Sequence, residues 1–285
     1  MVEDIYRESF SRNIGIVTEK EQEKLRNARV AIAGVGGAGG NALYALARMG
    51  VGNFAIADPE VYAYTDINRQ QGATLDTVGK KKVDVLEGLV KSINRDANIK
   101  KYPDGLNGAN IEEFLNGADV LLDQVEYFKL DIRKTLFDAA QKKGIYIFFS
   151  PAFGFGTTIA IFSPKGPSYA EFFGAMPEKP DLDYMINFGQ KLFPVIPLYI
   201  DAHAFLGAMK RKRPIPTFAP PVIFAGILNA LEAAFYILGK KKPVCVPKIK
   251  WFDLLEGKIK IIDTAKHKWS LWTKIRLAWE LMSAR

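Results

Sequence analysis

Cysteine is almost absent from this chain: Cys245 stands alone among 285 residues, which excludes an intrachain disulfide and every paired CxxC zinc motif. Histidine is nearly as scarce, with only His203 and His267, so no zinc site is expected. Cys245 reads as a packing residue, because a reactive thiol needs a cationic, accessible setting, and His203 reads as a packed or surface group. The opening Met1-Val-Glu-Asp4 lacks the basic-then-apolar order of a secretory signal, and a cytoplasmic location is expected. No long apolar run is free of polar breaks. The most membrane-like window, Phe218 to Leu238, contains Pro220, Pro221, Asn229 and Glu232, and fits a buried core helix better than a span, so membrane contact is not expected. Internal repeats and low-complexity tracts are also missing.

What is there is an ordinary globular composition, 48% hydrophobic and 25% charged. The length accommodates one large domain or two small ones. Thirty-nine Lys and Arg against 31 Asp and Glu leave a net charge of +8, a balance that would suit an anionic partner such as a nucleotide, tRNA or acidic lipid.

Apolar runs alternate with amphipathic stretches along the first half. Strands are expected at 29–33, 53–57, 98–102, 119–122 and 145–149, and helices at 38–49, 79–94, 110–116 and 129–143. Thr18 and Glu21 have the spacing of a capping box at the head of an earlier helix. Strands and helices interleaved in this way argue an α/β, Rossmann-like doubly wound fold with a mainly parallel sheet. Beyond Pro151 the run 157–162 suggests an appended antiparallel strand region. Residues 163–221 are rich in Pro, Phe and Tyr and read as loop. A core helix over 221–238 and a hairpin across 250–263, turning at Glu256-Gly257, follow. Trp269, Trp272, Ile275, Trp279 and Met282 recur at helical spacing and read as a C-terminal helix docked on its own core or on a dimer mate. The expected organisation is a nucleotide-binding core over 1–165 and a substrate-covering, loop-rich remainder over 166–285, in one compact domain.

The sharpest local signal is Gly34-Val35-Gly36-Gly37-Ala38-Gly39, placed between an apolar strand and an amphipathic helix. Glycine lets backbone approach a ligand, and a helix start presents free N–H groups and partial positive charge to an anion. Asp58, at the end of the next strand, stands where a ribose hydroxyl is usually held. These two features alone also permit an NAD(P)-dependent oxidoreductase.

Four further segments lie at spacings that a generic dinucleotide fold does not need: Arg12-Asn13, Thr65-Asp-Ile-Asn-Arg-Gln70, Gly79-Lys-Lys-Lys82 and Asp123-Gln-Val-Glu126. Together with the glycine turn, this set resembles the E1-like ThiF/MoeB/UBA1 superfamily of adenylating enzymes, over about residues 5–165. The resemblance implies ATP and Mg²⁺ as cofactors and a carboxylate of a small molecule, peptide or modified nucleoside as substrate, activated as an acyl-adenylate with release of pyrophosphate. It implies that Gly34, Gly36, Gly37 and Gly39 carry the phosphates and that Asp58 holds the ribose. Glu60, Thr65, Asp66, Asn68, Gln70 and Tyr127 would complete the nucleotide site. Arg69 and Lys82 would neutralise the triphosphate, Glu126 would hold Mg²⁺, and Arg12 would reach the partner's phosphates across a homodimer. Such cations have a physical task, since carboxylate attack on phosphorus brings two anions together.

Three positions depart from the family pattern, which usually has Asn at 66, Asp at 126 and Asn at 127. Asp66 would set a negative charge near the phosphates. The thioester-forming cysteine and zinc CxxC pairs of many members are missing, so chemistry would stop at the adenylate or proceed by direct attack of a second substrate. Thr65 to Gln70 looks like the branch acting on threonylcarbamoyladenosine of tRNA, whereas Ser11-Arg-Asn-Ile-Gly15 and the second half look like other ThiF-type proteins. A non-catalytic nucleotide-binding partner protein is a third reading.

Overall fold

The computed structural model describes residues 4–197, 199–210, 212, 214–267, 269 and 273. Helices α1 (Ile5–Ser9) and α2 (Glu19–Asn27) lead into β1 (Arg29–Ala33), α3 (Gly37–Arg48) and β2 (Asn53–Ala57). Then come α4 (Lys82–Ile93), β3 (Asn98–Tyr102), α5 (Ile111–Phe114), β4 (Val120–Asp123), α6 (Leu130–Lys142) and β5 (Tyr146–Phe149). Four of these five strands, all but the edge strand β3, are apolar nearly throughout because both sheet faces are covered. On β1, Val30 and Ile32 join one core with Leu43, Leu86 and Ala233, while Ala31 and Ala33 join the other with Phe114, Phe137 and Phe188. That split is the period-2 geometry of a strand buried from both sides.

These five strands pair in parallel in the order β3-β2-β1-β4-β5. The order reverses between β1 and β4, which opens a crevice at their carboxyl ends. The sheet continues antiparallel from β5 through β7 (Gly156–Phe162), β8 (Lys248–Asp253) and β9 (Lys258–Asp263), with the two-residue β6 (Ala152–Phe153) pairing β7 beside that path. The expected strands fall within one or two residues of those observed.

The segment 163–221 is more ordered than the reading of it as loop. It holds α7 (Tyr169–Phe173), α8 (Leu182–Leu192) and α9 (Ala202–Met209). All three are short, so isolated they would be marginal, and packing stabilises them: Phe172, Phe173 and Phe188 of α7 and α8 lie on the main core, and Phe205, Ala208 and Met209 of α9 in a separate apolar cluster. A signal was present: Ser168 and Glu171 form a reciprocal capping box at α7, and Asp181 caps α8. The lysine helix begins at Lys82 rather than 79, because Gly79 takes φ 84° and Lys81 is its N-cap.

The apolar window near 220 is α10 (Ala219–Leu238), with its prolines in the first turn, where their missing N–H costs nothing. It is long and apolar enough to cross a membrane by length and composition, yet 61% of that stretch is buried within the protein. α10 lies directly on α3 at Gly226, where a Cβ would come within 2.5 Å of the Ala38 carbonyl oxygen and 2.6 Å of Asn41 Cβ. Of the closing tryptophans, Trp269 is buried and donates to the Phe193 carbonyl at 2.9 Å; Trp272, Ile275, Trp279 and Met282 lie outside the described residues.

The Thr18–Glu21 capping box is formed, and Glu21 also meets Lys240 beyond α10 at 2.8 Å. The Lys240 hydrogen bond first, then the Thr18 amide, draw the Glu21 carboxyl from 4.5 down to about 2. A depressed carboxyl stabilises the fold above its unfolded pKa, and that contribution fades as pH falls through the folded one. Glu21→Gln is therefore expected to flatten the acid limb of stability between about pH 5 and pH 2. Thermal melts at stepped pH check this, and an acid limb identical to the parent's would dismiss the contribution.

Candidate functional site

The glycine turn sits at the reversal point of the sheet. Gly34 adopts φ 84°, and a Cβ there would meet the Gln124 carbonyl oxygen at 2.1 Å; one on Gly39 would meet the Gly34 oxygen at 1.9 Å. Both glycines are demanded by the protein's own close packing. At Gly36 a Cβ would find only the Gln70 side chain, at 3.5 Å, so the fold itself leaves room there.

Asp58 is buried and accepts from the Val35 amide at 2.9 Å and the Glu60 amide at 3.0 Å. Burial pushes its carboxyl above the usual range, against the pull of those amides and of Lys82. Its visible work is to pin the glycine turn to β2. Glu60, by contrast, keeps an exposed carboxylate that accepts from Lys82 Nζ at 2.6 Å.

Lys82 is only 2% exposed and also lies 3.7 Å from Asp66. Asp66 accepts from the Ala63 amide at 3.0 Å and from Gln70 Nε2 at 2.6 Å, and stands 3.5 Å from the Arg69 guanidinium. Its charge is thus shared between two cations and two donors rather than left bare toward the cleft. Arg69 is held in place by the Thr65 carbonyl at 2.8 Å and Asn68 Oδ1 at 2.9 Å. Thr65 and Asn68 orient the arginine and do not line the cleft.

The opposite wall is the β4–α6 loop. Its anchor is a fully buried ion pair, Arg133 Nε to Asp123 at 2.6 Å, with the same guanidinium bonding the carbonyls of Val125 at 2.5 Å and Tyr127 at 3.2 Å. Breaking a pair so buried strands a charge, so the loop carrying Gln124, Glu126 and Lys129 is rigidly set. Sequence reasoning missed Arg133, although an arginine ten residues after a strand-terminal aspartate is a readable cue.

Two adjoining cavities result. One, of about 540 Å³, is lined by Gly34, Gly36, Gly37, Asp58, Glu60, Arg69, Gln70 and Lys82 on one side and by Gln124, Glu126 and Lys129 on the other. The second, about 810 Å³, is walled by the region after β5 and by α9 and its flanks. Gly37, Arg69, Gln124, Glu126 and Lys129 line both. Gln70 Oε1 and Gln124 Nε2, both buried, have no hydrogen-bond partner among the described residues, which is what a bound polar molecule would remedy.

Most of the residues anticipated from the sequence therefore converge, but besides Thr65, Asp66 and Asn68, which stand behind the cleft wall, three more are placed differently. Gly39 packs the helix on the turn. Tyr127 turns its ring into the larger cavity and its hydroxyl toward Gly189 of α8, where burial raises its pKa. Arg12 is exposed on a short turn whose neighbour Asn13 bonds the Met49 carbonyl at the far end of α3, about 18 Å of helix from the glycine turn. Within one chain it does not reach the cleft. Lys129, at the junction of both cavities, was not anticipated, since nothing marks one lysine in a loop.

Fold and cleft define a Rossmann-like α/β protein with a nucleotide-sized pocket at its sheet reversal point. The chain belongs to the ThiF family, whose profile matches residues 10–272. It is similar to the SAMP-activating enzyme E1 of Haloferax volcanii, 29% identical over 59% of this chain and 63% of that one. It is 36% identical to the tRNA threonylcarbamoyladenosine dehydratase of Bacillus subtilis, over 40% of this chain and 45% of the relative. The chain thus spans under two thirds of these relatives' lengths. Among solved structures, E. coli MccB with ATP superposes with a TM-score of 0.65 at 21% identity, covering 86% of this chain and 66% of that one. ThiF-family enzymes bind ATP.

Proposed function

We propose that this protein binds ATP with Mg²⁺ and adenylates a carboxylate. A carboxylate oxygen attacks the α-phosphorus, the bond from that phosphorus to the bridging oxygen breaks, and pyrophosphate leaves. The observation that carries this reading is the pair of cavities meeting at Gly37, Arg69, Gln124, Glu126 and Lys129. A nucleotide in the smaller cavity would present its α-phosphate at that junction, and an acid in the larger would face it.

The charges fit the reading. Lys82 and Arg69 are matched by Glu60 and Asp66, so a triphosphate brings negative charge that the cleft alone leaves uncompensated. Mg²⁺ would supply the remaining positive charge when bound, and Glu126 would hold it. Among the described residues no group of three or more acidic, His or Cys side chains forms a cage, which suits an ion carried largely by phosphates and water. Gln70 and Gln124 would give their free amide atoms to the nucleotide, with the backbone at Gly36 close to its phosphates.

The assay is exchange of labelled pyrophosphate into ATP across a panel of acids. ATP binding without exchange for any acid would leave only a nucleotide-binding protein.

We further propose a homodimer whose second copy supplies Arg12. The arginine is beyond reach of its own cleft and stands beside Ile14 and Ile16, which are 43% and 85% exposed, the composition of a contact surface. Arg12→Ala mixed with Lys82→Met, each inactive alone, is expected to regain about a quarter of parental exchange, because half the dimers are mixed and each has one intact site. No regain in a verified mixed dimer would sink the shared site.

A further inference from the structure

The larger cavity has a chemistry of its own. Its inner wall is built from Phe153, Phe193, Phe205, Met209 and Ile215, with the Phe153 ring 4.7 Å from that of Phe193 and 5.4 Å from that of Phe205. Trp269 packs into the same apolar cluster as Phe205 and Met209 and bonds the Phe193 carbonyl, so the wall is backed rather than soft. Behind it an apolar recess of about 390 Å³ shares Phe153, Phe205, Ile215 and Thr217 with the chamber, and Asp201 is the one charged residue among those lining it.

Four charged residues line the chamber among those described. Arg69, Glu126 and Lys129 stand where the chamber meets the nucleotide cavity, and Lys212 stands apart from them. Lys129 is exposed and, among the described residues, makes no ion pair; it is the junction cation not already matched by a carboxylate. A pocket with a cation at one end and aromatic walls at the other selects an amphipathic anion.

We infer that the acid is a monocarboxylic acid with an aromatic or medium-chain aliphatic body, its carboxylate met by Lys129 and its body seated among Phe153, Phe193, Phe205 and Ile215. The inference rests on the adenylation reading for its reaction, while the binding it asserts is measurable separately. A polar diacid or a flexible glycine-terminated peptide would leave the aromatic wall uncovered and forfeit the burial of apolar surface that favours binding.

Calorimetry on the full chain with a non-hydrolysable ATP analogue tests it, using 3-phenylpropanoate and octanoate against propanoate, succinate and a peptide ending in Gly-Gly, with pyrophosphate exchange run alongside. The two larger acids are expected to bind at least about tenfold more tightly than propanoate. Ile215→Asp should erase that preference, and Ile215→Ser should reduce it, with the affinity for the ATP analogue unchanged in both as the check on folding. Lys129→Ala should weaken every acid by a similar factor. Equal or tighter binding of propanoate, succinate or the peptide, binding of none of the acids, or a preference that survives Ile215→Asp would each overturn the inference. Tight binding of the apolar acids without exchange would keep the chamber and dismiss adenylation; exchange with the peptide alone would keep adenylation and dismiss the chamber.

Discussion

Alanine at Gly36 is expected to leave the fold standing while abolishing nucleotide binding, and alanine at Gly34 is expected to lose both. The two glycines lie two residues apart in one turn, yet their surroundings differ. A Cβ on Gly34 would be driven into the Gln124 carbonyl at 2.1 Å, on a backbone at φ 84°. Relief requires moving β4 or the turn at the centre of the sheet, a loss of roughly 3 kcal/mol or more given the clash together with the positive-φ strain. A Cβ on Gly36 would touch only Gln70 at 3.5 Å, an ordinary contact. What it would fill, on the proposed reading, is the space of a phosphate beside the first N–H groups of α3. Urea melts and ATP calorimetry on the two variants check both halves. A Gly36→Ala protein that binds ATP with parental affinity would mean the turn shapes the sheet and not a ligand site.

Lys82→Met should abolish exchange and also weaken the fold, and a second substitution should separate the two effects. The ammonium is 2% exposed and is the partner of Glu60 at 2.6 Å and Asp66 at 3.7 Å. Removing it leaves Asp66, itself buried, with Arg69, the Ala63 amide and Gln70 as its partners, and losing one of two cations around a buried carboxylate costs on the order of 1–3 kcal/mol. Asp66→Asn keeps one acceptor, for the Ala63 amide, gives up the other toward Gln70, and deletes the under-compensated charge. The double variant, Lys82→Met with Asp66→Asn, is therefore expected to recover most of the lost stability and none of the exchange. Chemical denaturation and the exchange assay give the two readings. Exchange returning with stability would reduce Lys82 to a structural ion-pair partner.

The same residue shows how far the sequence carries. The cluster Lys80-Lys81-Lys82 marks an anion site only if the lysines point one way, and they do not: Lys81 bonds Asp104 at 3.1 Å while Lys82 turns inward. Asp66 looked like a charge opposed to phosphate, but its partners Lys82, Arg69 and Gln70 come from two separate elements, and their sum was not readable from one position. Asp58 occupied the expected place, yet its two oxygens are engaged by the amides of Val35 and Glu60, a local geometry that composition does not encode. The helices between 163 and 221 were hidden for a different reason. Helices of five to eleven residues are too short to be stable or strongly periodic on their own, and only the core they cover stabilises them.

Periodicity, glycine spacing and caps are local properties, each decided by residues within a few positions of one another. For that reason the strand and helix alternation, the glycine turn, the family resemblance and the run of candidate site residues from 58 to 82 could all be read from this chain before it was folded. The second cavity could not, because Ser150, Phe193, Phe205 and Ile215 are brought beside Gly37 and Lys129 only when α10 settles on α3 and the later strands extend the sheet. Nor could the separation of Arg12 from its own cleft. Both are distances between segments remote in the chain, and packing alone sets them.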